Sequence, residues 1–410
     1  MKIVITDYPD VLGRNLSYEE AILREGLPGC EISVYPYTGN RSELAVILSN
    51  ADAVLTAFLP MDKELLDGMP NLKCVCFNAT GYNFIDYEEA CRRNIAIIPI
   101  GEYCTNEVAD HTMALMLALA RGLRHYIRDI EENKNWQYYS GQRLRRIQGQ
   151  VFGIFGLGKI GRAVARRAQA FGMEVLAYDP YLPADIAKEY RVRLTTEDEL
   201  LERSHVISNH MLLTEETYHF FNRERFSKMK QQPIFLNVGR GGAVDEEVLV
   251  QALDNRQLFG AGLDVLEAEK PNLAHCKLLK RDNVILTPHA AFYTQESLAD
   301  LQRISCENTV FYLKGEYHKV NRIVNQMLNG KVAGVVVEGI VGEQYVIAYD
   351  NIQFSDADLD SAKTSAVAVD KGNEDLLEIV NKVIAEQQEQ GNFDKWVEEY
   401  STIAAKNAAN

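Results

Sequence analysis

The sequence predicts an α/β protein with two open sheets, one small and parallel, the other doubly wound, followed by a segment of different character. Three observations predict this. Short apolar runs of strand length alternate with helix-period segments through the first 325 residues. A G-x-G-x-x-G turn, Gly156-Leu157-Gly158-Lys159-Ile160-Gly161, opens the second set of runs rather than the first. Beyond Asn325 the chain contains no Arg, Cys, His or Pro, and residues 326–410 hold 6 lysines against 15 acids.

From the N-terminus, KIVIT, EISVY, ADAVLTAF, LKCVCFNA and IAIIPI are strand candidates separated by helical segments such as YEEAILREGL. That alternation is the arithmetic of βαβ units. CTNEVADHTMALMLALARGLRHY then predicts one long helix over about 105 to 125, whose first turn Thr105 or Asn106 can cap. From Val151 the runs VFGIF, VLAY, HVISNH, PIFLNV, GAGLDV and NVILTP predict six buried strands of a doubly wound sheet. Residues 292–325 read as a helix returning to the first domain. Residues 101–291 thus form a nucleotide-binding domain inserted in a substrate domain, 1–100 completed by 292–325, with 326–410 as a C-terminal extension. A ligand cleft between the domains is expected.

Composition bounds the function. A chain of 47% apolar and 25% charged residues is ordinary for a globular protein, and a net charge of −15 argues against sustained contact with nucleic-acid or membrane phosphates. Asp7 interrupts any signal-peptide apolar region, and no run of membrane-spanning length follows, so a cytoplasmic protein is expected. Seven scattered cysteines fit a reduced compartment. Cys74 and Cys76 would share one face of a strand, but no second pair has metal-ligand spacing, and no metal is expected. Arg143, Arg145 and Arg146 read as a solvated face.

The glycine turn reads as a dinucleotide site. Gly156 allows the tight turn, Gly158 lets the backbone approach a pyrophosphate, and Gly161 permits close helix–strand packing. Lys159 and Ile160 fall where amides point at the ligand. The next strand ends in Asp179, placed to accept from ribose hydroxyls and to repel a 2′-phosphate, which favours NAD over NADP. Three later strand ends deliver reactive groups: Arg240 after PIFLNV, Glu269 after GAGLDV and His289 after NVILTP. An Arg can bind a 2-oxo acid's carboxylate and polarise its ketone. A His can protonate the oxygen as hydride arrives, and a Glu can hold the imidazole and favour its charged form.

With these residues in view, the chain resembles the D-isomer-specific 2-hydroxyacid dehydrogenases. The matching pieces are ATGYNFID, EVADHTMALML, FGLGKIGRAVARRAQAFGMEVLAYDP, NHMLLTEET, FLNVGRGGAVDEEVL, AGLDVLEAE and NVILTPHAAFYT, in the family's order over about residues 1–325. The resemblance implies a Rossmann NAD domain inserted in a flavodoxin-like domain, with Arg240, Glu269 and His289 as the catalytic trio. It also implies that Lys159, Ile160, Asp179, His210, Met211, Leu212, Thr217, Val238, Gly239 and Asp264 line the NAD site, Asp264 near the nicotinamide amide. The Thr80-Gly81 turn would offer amides to the substrate carboxylate. HAAFYT looks most like the D-lactate dehydrogenase branch, so Phe292 and Tyr293 would shape a small pocket and pyruvate would be reduced to D-lactate. Hydroxypyruvate, glyoxylate or an aromatic 2-oxo acid are the other substrates weighed, and an NAD-sensing, corepressor-like binding protein is the other class. A homodimer is expected. Two departures stand out: Leu212 replaces a common proline, and Lys270 sits between Glu269 and Pro271, where it can alter the acid's loop.

Residues of about 327–410 look like the closing part of periplasmic-type amino-acid-binding proteins, in which a strand such as AVAV precedes a KGN turn and an amphipathic helix. Only about the last third of that fold is represented. A displaced module or docking element, or else an acidic helical extension with no ligand, is therefore expected, not a transport protein.

Overall fold

A computed structural model of the chain describes residues 1–82, 84–141, 144–316 and 320, with the strands 334–338, 352–354 and 365–370. The chain divides into two compact units, one of Met1–Tyr103 with the chain from Leu298, the other Cys104–Ser297.

In the first unit β1 (Lys2–Asp7), β2 (Glu31–Pro36), β3 (Ala53–Thr56), β4 (Cys74–Phe77) and β5 (Ala96–Pro99) form one sheet in the order β2-β1-β3-β4-β5. All four pairings are parallel. This is the flavodoxin-like order. Parallel strands must be covered on both faces, and side-chain alternation divides them accordingly. Val4, Val54, Val75 and Ile97 enter one core, while Ile3, Ile5, Leu55, Cys74, Cys76 and Ile98 enter the other. The two cysteines do share a face, but that face is apolar core, and burial pushes the Cys74 thiol well up. A thiol held protonated in such a place is inert. Among the described residues no cluster of three or more His, Cys, Asp and Glu is placed to hold a metal ion.

The helix Gln295–Leu313 contributes Cys306, Val310 and Tyr312 to the core that also holds Ile3 and Leu23. Its seat is polar as well as apolar. Buried Glu19 accepts from Arg14 at 2.9 Å and from the Gln302 amide at 2.8 Å. The helix is shorter than the 292–325 expectation, with Gly315 at φ +77° soon after its end.

In the second unit β6 (Val151–Phe155), β7 (Glu174–Tyr178), β8 (Arg193–Leu194), β9 (Val206–Asn209), β10 (Ile234–Asn237), β11 (Gly260–Leu263) and β12 (Val284–Leu286) form a parallel sheet ordered β12-β11-β10-β9-β6-β7-β8. It has one strand more than the six expected, because β8 is a two-residue edge strand with no buried residue and no apolar run to announce it. β6 has β7 on one side and β9 on the other, so the winding reverses there. The crevice beyond the carboxyl ends of strands at such a switch point is where ligands bind.

Two helical expectations change. The N-cap position of this helix is Cys104, which makes no side-chain cap bond, and Thr105 is already its first helical residue. Asn106 instead accepts from Arg167 at 3.3 Å. The helix also stops at Ala120, because Gly122 adopts φ +61° and a separate helix, Leu123–Glu131, follows. A residue in the left-handed region ends a helix wherever it stands.

A third, antiparallel sheet comprises β13 (Gly334–Glu338), β14 (Ile352–Phe354) and β15 (Ser365–Asp370) in the order β13-β15-β14. The AVAV run lies in β15. The amphipathic helix expected after the KGN turn, and Arg143, lie outside the described residues. No helix among the described residues is long and apolar enough to cross a membrane.

The seat of the last helix generates a stability prediction. A Cβ added at Gly26 would lie 2.6 Å from both methyls of Val310. Val is β-branched and stiff at χ1, so it cannot swing away. Gly26→Ala should therefore destabilise the protein by about 1–3 kcal/mol, the usual cost of overpacking, and adding Val310→Ala should recover part of that loss. Denaturant midpoints of the three chains check this; a Gly26→Ala protein as stable as wild type would show that the helices do not approach so closely.

Candidate active site

The glycine turn is built by contacts that leave each glycine a different task. Gly156 has φ +85°, and a Cβ there would stand 2.9 Å from the His210 carbonyl carbon. A Cβ at Gly161 would lie 2.3 Å from the Gly156 oxygen. Backbone meets backbone at both places, so neither tolerates a side chain. At Gly158 a Cβ would meet nothing within 4 Å. Space kept open over a backbone turn fits the pyrophosphate of NAD, and the helix Lys159–Ala170 begins there with Lys159 and Ile160 as its first residues. Its ladder starts with the Arg162 amide on the Gly158 carbonyl at 2.9 Å. Asp179, just past β7, accepts from the Leu157 amide at 2.8 Å and the Tyr181 amide at 3.1 Å, so the acid and the turn are one construction.

The neighbouring strand ends are tied by two buried asparagines in register, Asn209 of β9 and Asn237 of β10. Asn209 Nδ2 donates to Asn237 Oδ1 at 3.1 Å, and Asn209 Oδ1 accepts from the Met211 amide at 3.1 Å. Asn237 accepts from the Gly239 amide at 3.2 Å and donates to the Arg240 carbonyl at 3.0 Å. These bonds shape the turn from which Arg240 emerges. Val238 is buried, and Leu212 is 59% exposed. The Thr217 hydroxyl closes the loop after β9 by donating to the Leu212 carbonyl at 2.6 Å. His210 Nε2 is 2.8 Å from Ser208 Oγ, and burial pushes its imidazole down to about 3. It is neutral throughout the working range.

The three chemical groups stand at the same edge. His289 Nδ1 lies 2.8 Å from Glu269 Oε2. Burial pushes the Glu269 carboxyl up, but the hydrogen bond and charge of His289, with the charge of Arg240, outweigh it and hold the group below its ordinary value. An ionised carboxylate only accepts, so Nδ1 carries a proton toward Glu269 and Nε2 is the other ring nitrogen, the one that faces away from this bond. Arg240 is half-buried, with Nη1 donating to the Gly239 carbonyl at 2.9 Å. A Cβ at the adjoining Gly241 would stand 1.8 Å from the Leu266 oxygen, so this turn presses on the loop that leads to Glu269. Lys270 does not prevent the acid from reaching His289. Phe292 stands edge-on to the imidazole, ring centres 6.3 Å apart, and Tyr293 next to it is 59% exposed.

His289 has φ +53°, an uncommon conformation for a residue with a side chain. Asp264 enforces it. The Asp264 carbonyl accepts from the His289 amide at 2.7 Å. Its buried carboxylate accepts from the Thr287 hydroxyl at 2.5 Å and from the amides of Ala290 at 2.9 Å and Ala291 at 2.8 Å. The resemblance puts Asp264 beside the nicotinamide; the structure shows both its oxygens engaged by the histidine's loop. Thr80 and Gly81 belong to the other unit, where the Thr80 hydroxyl donates to the Gly101 carbonyl at 3.0 Å. Asn209, Asn237 and Thr287 have no role in the sequence reading. Polar residues at the carboxyl ends of otherwise apolar runs were their only signal.

Two predictions follow from this geometry. Gly158→Ala should fold with a melting temperature like wild type yet bind NADH at least about tenfold more weakly, since its methyl enters ligand space, whereas Gly156→Ala and Gly161→Ala should lose stability. Thermal melts and NADH fluorescence titrations separate the cases; a Gly158→Ala protein with normal NADH affinity would place the pyrophosphate elsewhere. His210 is held neutral in the fold and ordinarily titrates near 6.5. As pH falls below that value the unfolded chain takes up a proton the folded one refuses, so folding stability should drop by about 1.4 kcal/mol per pH unit down to about pH 3. The contribution is fully favourable only above pH 6.5, and the acid slope of stability should be shallower in His210→Asn by about one proton.

Comparisons with known proteins give the family. Residues 113–291 match the model of the D-isomer specific 2-hydroxyacid dehydrogenase NAD-binding domain. The chain is 37% identical over 273 residues to a glyoxylate reductase of Korarchaeum cryptofilum, covering 66% of this chain and 82% of that protein. It is 34% identical over 320 residues to a hydroxypyruvate reductase of Blautia hydrogenotrophica, covering 77% and 98% of the two chains. Among solved structures, a D-lactate dehydrogenase of Aquifex aeolicus in complex with NAD and lactic acid superposes with a TM-score of 0.69 at 30% identity, covering 79% of this chain and 99% of that one. With its doubly wound sheet, its glycine turn and this kinship, the chain belongs to the NAD-dependent D-isomer-specific 2-hydroxyacid dehydrogenases.

Proposed function

We propose that this dehydrogenase reduces a small 2-oxo acid to the D-2-hydroxy acid, with pyruvate to D-lactate the leading case and glyoxylate and hydroxypyruvate as near competitors. The observation that carries the reading is the His289–Glu269 pair at 2.8 Å with Phe292 set edge-on to the imidazole. An aromatic wall against the proton donor favours a short substrate side chain. Relatives named glyoxylate reductase and hydroxypyruvate reductase support the small-acid class.

In this reading NADH, held at the glycine turn, supplies the hydride. Arg240 binds the substrate carboxylate and polarises the ketone. His289 Nε2 gives its proton to the ketone oxygen, and Glu269 stabilises the imidazolium before the transfer. In the oxidative direction the same nitrogen takes the hydroxyl proton. Asp179 favours NAD over NADP by repelling a 2′-phosphate. We also assign the chain to the cytoplasm, where its seven free cysteines would stay reduced, and to a homodimer. The second assignment rests on Leu123, Ile127 and Ile130, exposed at helical spacing on Leu123–Glu131, with exposed Trp136, Tyr138 and Tyr139 beyond them.

Turnover of NADH with pyruvate, glyoxylate, hydroxypyruvate and phenylpyruvate tests the proposal. The three small acids should lie within about a hundredfold of one another in kcat/KM, because one or two heavy atoms in a pocket discriminate no further, and phenylpyruvate should trail. His289→Ala should lower kcat by roughly 10²–10⁴ while NADH still binds. Preference for the aromatic acid would overturn the substrate reading, and near-normal turnover by His289→Ala would overturn the role of the histidine.

A further inference from the structure

The EVADHTMALML segment carries a histidine that the reaction above does not use. His111 lies on the helix Thr105–Ala120 and is partly exposed at 23%. Its Nε2 is 2.9 Å from Thr287 Oγ1, which donates onward to Asp264 Oδ1 at 2.5 Å. A hydroxyl has one proton. The threonine spends it on the aspartate, so toward His111 it can only accept. The histidine is therefore the Nε2–H tautomer, and the chain of donation runs from His111 through Thr287 to Asp264. Asp264 Oδ1 is itself 3.7 Å from His111 Nε2, so the histidine also faces the carboxylate directly. The same carboxylate holds the amides of Ala290 and Ala291, and its residue's carbonyl holds the amide of His289.

We propose that His111 is a positioning residue for proton transfer: through Thr287 and Asp264 it fixes the loop in which His289 sits. The inference rests on His289 being the proton donor. It does not require His111 to touch substrate or cofactor. The helix that carries it belongs to the same compact unit as the loop, so the brace is internal to the unit. Its effect falls on the orientation of His289, hence on the chemical step, rather than on the glycine turn that binds the dinucleotide.

Two variants separate this role from a packing role. His111→Leu keeps the bulk and loses the donor, whereas His111→Gln keeps an N–H near the same place. His111→Leu should lose about tenfold in kcat, the worth of one hydrogen bond, with the NADH dissociation constant within about twofold of wild type. His111→Gln should return kcat to within about threefold of wild type. In ¹⁵N-histidine spectra of the full-length wild type, His111 should carry its proton on Nε2 at neutral pH. The Ala290 and Ala291 amides should shift in His111→Leu and return toward their wild-type positions in His111→Gln. If His111→Leu does not fold, Thr287→Ser and Thr287→Ala make the same comparison, the serine retaining the relay and the alanine losing it. A glutamine variant as impaired as the leucine one, a loss confined to NADH affinity, or a proton on Nδ1 would overturn the proposal. A wild type that turns over no 2-oxo acid would defeat the functional reading alone, because the tautomer and the two amide signals still decide this one.

Discussion

The buried carboxylate of Asp264 is the constraint on which the chemical edge of the second unit depends. An ionised group taken out of water is costly unless its oxygens are satisfied. Here a hydroxyl and two amides from one loop satisfy them. That requirement works in both directions. The loop gains a fixed shape because the carboxylate needs its donors, and the carboxylate can be buried because the loop supplies them. The first unit repeats the device: Asp7, buried at the end of β1, accepts from the Thr56 hydroxyl at 3.0 Å, the Ala57 amide at 2.5 Å and the Phe58 amide at 3.0 Å. In both sheets a strand-end aspartate organises the backbone that follows a neighbouring strand.

Around that constraint the parallel sheet gathers the rest. All seven strands of the second unit run the same way, so every strand ends at one edge, and residues distant in sequence arrive together without long detours. Backbone contact then sets the tolerances. Gly156, Gly161 and Gly241 each stand where a methyl would collide with main chain. Main chain cannot rotate aside as a side chain can, so these positions are closed to substitution for steric reasons, whatever the ligand. Gly158 is different in kind: the space above it is needed by the ligand alone.

Much of this was legible in the sequence, and what was not has a common physical reason. Apolar runs bounded by turns report burial, so all five strands of the first sheet and six of the seven in the second could be read; β8 could not, because a two-residue edge strand buries nothing. The glycine turn was legible because its spacing encodes a local geometry. The placement of Arg240, Glu269 and His289 beyond strand ends could be read from the apolar runs that precede them. The conformation that aims His289 could not, since φ +53° at a histidine is imposed by Asp264 from 25 residues upstream. The Asn209–Asn237 tie and the reach of His111 to Thr287 are likewise tertiary pairings that no single-segment pattern encodes. The misplaced helix cap and the break at Gly122 are the reverse error, in which a local propensity was trusted beyond where the backbone follows it.

The His289–Glu269 pair shows why such a site is better understood as orientation than as stability. The two side chains are 27% and 35% exposed, so water screens much of their attraction. Pairs that open to solvent contribute about 0–1 kcal/mol, no more than a single surface contact. Holding a residue such as His289 in the left-handed region costs on the order of 1–3 kcal/mol. The pair alone therefore cannot maintain the conformation it uses. The hydrogen bonds onto Asp264, each worth about 0.5–1.5 kcal/mol and made to a carboxylate that is itself buried, are together sufficient to do so. Stability is thus supplied at the buried aspartate, and the exposed glutamate is left to set which imidazole nitrogen carries the exchangeable proton.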